Sequence, residues 1–215
     1  MRGFFVPDDF ASQDEGPQPI YPNAVVTTLP EHIATFLGKP EDSWHLETGS
    51  LRASARGDLQ VVKTSNQPVK GVTAYATLGM SHDVLRMPGN RTTRQELIFA
   101  AYERFAAQDI ASFLLTFGAS VLSLGEALLR GDMIGPQNPL IPGVAANSVY
   151  CTVPVPFEPG LATYDASDPP TAFVWVLPAT GEEAEFVMRN GWSKFEELLE
   201  SREPDLWDLD RASVV

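Results

Sequence analysis

Six consecutive apolar residues, Ala172-Phe173-Val174-Trp175-Val176-Leu177, constrain the fold more than any other stretch of the chain. Successive side chains of a strand point to opposite faces of its sheet, so an unbroken apolar run requires cover on both. A sheet packed on each side is therefore the minimum architecture. The second constraint is helical. Ile110, Phe113, Leu114, Phe117, Val121, Leu124 and Leu128 recur at three- and four-residue steps, which predicts one long helix over residues 109–130 with Gly131 as its stop. Gly118 and Gly125 each cost about 1 kcal/mol against alanine inside a helix, and so mark a bend or a close backbone approach. Residues 110–125 carry no charge, yet they are too few for a membrane span and include Ser112, Thr116, Ser120 and Ser123. They are read as the buried helix of a soluble domain.

The remaining elements are shorter. Thr28-Leu29-Pro30-Glu31 supplies a capping box with proline in the first turn, Ile33, Phe36 and Leu37 form a stripe, and Gly38 with Pro40 ends a short helix. Between residues 44 and 79 the period becomes two. Leu59 and Val61 flank Gln60, and Val72, Ala74, Ala76 and Leu78 alternate with Thr73, Tyr75 and Thr77, the pattern of strands with one wet face. Ser65-Asn66-Gln67-Pro68 is a turn cluster that predicts an antiparallel connection. Residues 81–91 and 131–147 read as loops, with strands at 95–102 and around Val149, Cys151 and Val153. Thr180-Gly181-Glu182-Glu183 and Ser193-Lys194-Phe195-Glu196 read as two capping boxes opening two short helices. The strands come in neighbouring groups, which predicts an α+β fold: a mostly antiparallel, twisted sheet flanked by helices. A Pro-rich leader (1–27), one domain (28–202) and an acidic tail (203–215), either docked or a short interaction motif, complete the organisation.

Fifteen Lys and Arg against 28 Asp and Glu leave a net charge of −13. Counterion release at nucleic acid needs clustered cations, so DNA, RNA and anionic membranes are disfavoured partners, and an acidic field favours a basic protein instead. One cysteine, Cys151, cannot form an internal disulfide, and His32, His45 and His82 have no metal-ligand spacing. The N-terminal Met1-Arg2-Gly3-Phe4-Phe5-Val6 runs at once into Pro7-Asp8-Asp9 without the apolar stretch of a signal peptide, so a cytoplasmic location is expected, with no cofactor and no metal.

No catalytic motif survives inspection. There is no Gly-Lys-Ser/Thr phosphate loop, and Gly118-Ala119-Ser120-Val121-Leu122 lacks the second glycine of a nucleophile elbow. Ser81-His82-Asp83 has the residue types of a triad, but consecutive residues do not face one another in those roles, and a solvated turn is the expectation. Cys151 on the apolar face of a strand behaves as a small buried hydrophobe. Glu182, Glu183 and Glu185 belong at the positive end of a helix dipole. Asn90-Arg91-Thr92 fits a glycosylation sequon, which has no meaning without export. Among the tryptophans, Trp192 is expected in core or hinge packing and Trp207 as an exposed anchor in the acidic tail.

The order of these strings resembles the suppressor of fused domain family over roughly residues 28–200. Tyr75-Ala76-Thr77-Leu78-Gly79-Met80-Ser81 is similar to the family's strand ending in a Gly-Leu-Ser type turn, and Glu96-Leu97-Ile98-Phe99 to its next strand. Pro136-Gln137-Asn138-Pro139-Leu140 looks like its loop after the long helix. Thr171 to Leu177, Thr180-Gly181-Glu182-Glu183 and Gly191-Trp192 complete the likeness. The resemblance implies a non-enzymatic binding domain. The animal member grips an extended peptide of a transcription factor between two domains, whereas this chain reads as one such domain, and bacterial members include proposed immunity proteins that neutralise toxins. A protein or peptide partner, a toxin among the options, is thus expected. The expected mode is occlusion through the loops at 81–91 and 135–142 and the tail, with an edge strand adding main-chain bonds. The candidate contact residues are Ser81, His82, Asp83, Asn138, Trp192, Asp205, Trp207 and Asp208. Two alternatives remain open at this point: a hydrolase or transferase with an unrecognised site, and an acidic secretion chaperone.

Overall fold

The structure, a computed structural model, describes residues 28–46, 59–136 and 138–215, and the leader at 1–27 lies outside them. Within these residues, nine strands form one open mixed sheet. The strands are β1 (Asp42–His45), β2 (Gln60–Ser65), β3 (Val72–Leu78), β4 (Leu85–Met87), β5 (Arg91–Tyr102), β6 (Met133–Ile134), β7 (Ser148–Thr152), β8 (Thr163–Tyr164) and β9 (Thr171–Ala179). Their order is β1-β2-β3-β5-β9-β7-β6, with β4 on β5 and β8 on β9. All pairs are antiparallel except β5 with β9, where Ile98 lies opposite Trp175 at the centre of the sheet. Four helices flank it: α1 (Leu29–Leu37), α2 (Ala107–Leu124), α3 (Gly181–Asn190) and α4 (Trp192–Arg202).

The alternation of strand side chains separates two cores. Val61, Tyr75, Leu97, Phe99, Cys151, Val174 and Val176 face α2, and Val62, Ala74, Ala76, Ile98, Ala100, Phe173, Trp175 and Leu177 face α1, α3 and α4. β9 is covered on both faces as its apolar run requires. β3 is too, which corrects the expectation of a wet face. All seven of its residues are buried, because α2 covers Tyr75 while α1 packs over the Val72-Ala74-Ala76 side.

The capping boxes at Thr28 and Thr180 form as read, each with its glutamate returning to the cap backbone. The box at Ser193 does not. α4 begins at Trp192 and has no side-chain cap; Gly191, at φ +86°, closes α3 and opens α4 at once, and Glu196 is held by Arg130 and Tyr150 instead. The long helix also ends early, at Leu124. Gly125 adopts φ +68° and its N–H returns to the Val121 carbonyl, a left-handed stop. Gly118 is the close approach: a Cβ there would lie 3.0 Å from Met80 Sδ. The loops at 81–91 and 131–147 contain β4 and β6, strands too short to show a period.

Candidate functional site

The eight residues singled out from sequence fall in four separate places. Ser81, His82 and Asp83 form the tight turn after β3. Its anchor is Glu96 on β5, which is fully buried and accepts from the Thr77 hydroxyl (2.6 Å), the Gly79 N–H (3.0 Å) and the Ser81 N–H (2.9 Å). Burial pushes the Glu96 carboxyl above its ordinary range even against these donors. Gly79, at φ +113°, provides the left-handed step that lets its own amide and that of Ser81, two residues on, converge on one oxygen. Arg94 Nη1 donates to the carbonyls of Ser81 (2.7 Å) and His82 (3.0 Å). The Ser81 main chain is thus committed to holding the turn, while His82 is exposed. Sequence reading missed Glu96, although a lone carboxylate beside Leu97-Ile98-Phe99 was the signal.

Trp192 sits half out of the surface at the start of α4. The Arg130 guanidinium lies 5.2 Å over its ring, and Gly131, at φ +97°, presses so closely that a Cβ would come within 2.6 Å of the indole. Arg130 in turn donates to Glu196, which also accepts from the Tyr150 hydroxyl at 2.7 Å.

The tail folds back across the end of the sheet where β5 and β9 finish. Tyr102 donates its hydroxyl to Asp205 (2.8 Å) and its N–H to the Trp207 carbonyl (3.1 Å). Arg104 pairs with Asp208. The Trp207 ring lies half-buried, 5.9 Å from that of Trp175, so it packs where an exposed anchor was expected. Leu209 and Val214 enter the two cores. The lock is Arg211, which reaches both oxygens of fully buried Glu183 (2.6 and 2.8 Å) and the Pro178 carbonyl (3.2 Å), while the Val214 N–H donates to the same carboxylate (3.0 Å). Glu183 therefore does more than complement a helix dipole: it fastens the end of the chain to the domain.

Asn138 lines a groove of about 750 Å³ between α2 and residues 126–136 and 138–142. One wall is built by the segment after α2, which β4 and β5 pin in place. The Arg86 N–H donates to the Gly125 carbonyl and the Ala127 N–H to that of Arg86. The Gln95 amide donates to the Leu128 carbonyl (2.8 Å) and accepts its N–H (2.9 Å). The other wall is α2. Its Phe113 and Phe117 stack at 5.7 Å and, with Val121, Ile134 and Leu140, present an apolar floor. Both phenylalanines were read as core from their spacing. They remain partly exposed because nothing among the described residues covers the outer side of α2, where Ser112, Thr116, Ser120 and Leu124 are exposed. α2 is also long and apolar enough to cross a membrane by length and composition alone; here its buried stripe packs on the sheet.

Cys151 is buried on β7, and burial pushes its thiol up to about 12, far from a nucleophile's range. Among the described residues no three His, Cys, Asp or Glu side chains are grouped to hold a metal.

A three-layer α+β domain with one closed face, one grooved face and a locked tail is the class the geometry defines. The family model of the suppressor of fused protein (SUFU) matches residues 57–212, and the chain belongs to that family. The immunity protein YqcF of Bacillus subtilis (strain 168) is 26% identical over 186 residues, covering 85% of this chain and 93% of the relative. Among solved structures, a putative suppressor of fused homologue from Neisseria gonorrhoeae FA 1090 superposes with a TM-score of 0.68 at 18% identity, covering 86% of this chain and 93% of that one. A chain of the Sufu-Fu complex superposes with a TM-score of 0.64 at 16% identity, covering 88% of this chain and 91% of that one. Drosophila Suppressor of Fused gives 0.55 at 18% identity, with 72% of this chain and 42% of that protein covered.

Proposed function

We propose that this chain is a non-enzymatic protein-binding module that acts as an immunity or sequestering protein, covering a toxin or another basic partner in the cytoplasm. The observation that carries the reading is the similarity to the Bacillus immunity protein across nearly the whole of both chains. Membership of a family with a member solved in complex, Sufu-Fu, points the same way. The net charge of −13 speeds encounter with a basic protein and disfavours nucleic acid and anionic lipid. Occlusion needs no reacting group, and it fits a molecule whose one cysteine is buried and unreactive. The test is co-expression with each protein encoded by the genes that flank this one in its native genome. Growth rescue together with a stable complex on gel filtration is expected. Rescue with catalytic turnover of the toxin, or no complex with any native-host protein, contradicts the reading.

A further inference from the structure

The groove beside α2 has a chemistry of its own. Its floor is aromatic and aliphatic, and among the described residues every ionisable side chain lining it is an acid: Asp109 at the start of α2, and Glu126 and Asp132 on the facing wall. Arg86 approaches Glu126 at 3.6 Å with both side chains more than two-thirds exposed, and such a surface pair is worth at most about 1 kcal/mol. Ser112 and Ser120 donate their hydroxyls back to the helix carbonyls of Gln108 and Thr116, which leaves the α2 wall of the groove with few free polar groups. An apolar floor with an acidic rim complements one kind of occupant: a segment that carries large apolar residues between Lys or Arg.

We infer that this groove takes a short basic segment of the partner protein, whose aromatic or aliphatic side chain rests on Phe113 and Phe117 while its cations meet Asp109, Glu126 and Asp132. The inference rests on the protein-binding reading above and assigns it a surface and a recognition chemistry. Apolar anchors supply the affinity and rim charges the selection and on-rate.

The probe is a phage-displayed library of random peptides of about a dozen residues, long enough to fill a groove of this kind. It is selected on the full chain and counter-screened on a Thr116→Arg, Ser120→Arg double variant. Both positions are exposed on α2, so the variant keeps its fold, checked by circular dichroism, while placing two cations in the groove. The expected result is a consensus with net positive charge and at least one Phe, Trp or Leu, binding wild type about tenfold or more tighter than the variant and weakening as salt rises. Acidic or neutral consensus peptides, equal binding to both proteins, or no enrichment would overturn the inference. Toxin capture separates the two levels. If the double variant still binds and neutralises the co-expressed toxin, the partner sits elsewhere and the protein-binding reading stands; if wild type captures nothing, that reading falls as well.

Discussion

The two faces of the sheet solve the same burial problem differently. On the α1, α3 and α4 side, three helices and the returning tail pack tightly at two points: Glu183 and Arg211 are sealed together, and a Cβ on Gly160 would come within 2.4 Å of the Phe36 ring. On the other side, among the described residues, a single helix covers a wide sheet, and its edge leaves a groove floored by stacked phenylalanines. The difference separates roles. A face closed by a buried ion pair is stability; a face that leaves apolar surface and acids at its rim is available for a partner.

The largest test of that contrast is the buried pair. Arg211→Ala strands the Glu183 carboxylate and should cost about 3–5 kcal/mol, read as a lowered midpoint in urea unfolding. Glu96→Ala should follow at about 2–3 kcal/mol, because it leaves two amides and a hydroxyl unpaired in the interior, and Glu96→Gln should recover much of the loss. Gly160→Ala forces Phe36 to shift, and about 1–3 kcal/mol is expected by the same assay. On the grooved face, Thr116→Arg and Ser120→Arg should each move stability by no more than about 0.5 kcal/mol.

A pH titration sharpens the comparison. His32 on α1 is buried against Phe173, faces the Leu161 carbonyl and Asp165, and burial holds its imidazole below the ordinary value of 6.5. The unfolded chain therefore binds the proton first. Stability is full above about 6.5 and declines as pH falls below it, and His32→Phe should flatten that slope in urea midpoints measured across the range. Glu96 acts with the opposite sign. Its raised value means the folded state favours the protonated form, so its contribution is lost as pH rises through its folded value. The two are separated by comparing each variant with wild type.

Much of this fold was legible in the sequence because its strongest signals are local. The Thr28 and Thr180 capping boxes, the Ser65-Asn66-Gln67-Pro68 turn and the apolar run of β9 all express short-range chemistry. What was illegible depended on distance. Whether Thr73 and Thr77 met water turned on helices packed above β3. Whether Glu183 only faced a helix dipole turned on Arg211, and the tail's residues turned on Tyr102 and Arg104. The geometry of the groove was not legible, since Phe113 and Phe117 carry a spacing that core and exposed floor share.

Hydrogen exchange of the full chain with and without its co-expressed partner tests the central claim most directly. Slowed exchange confined to α2 and residues 126–142, with the tail and α3 unchanged, is the predicted result. Protection that falls on the closed face or the tail, with α2 exchanging as before, would contradict it.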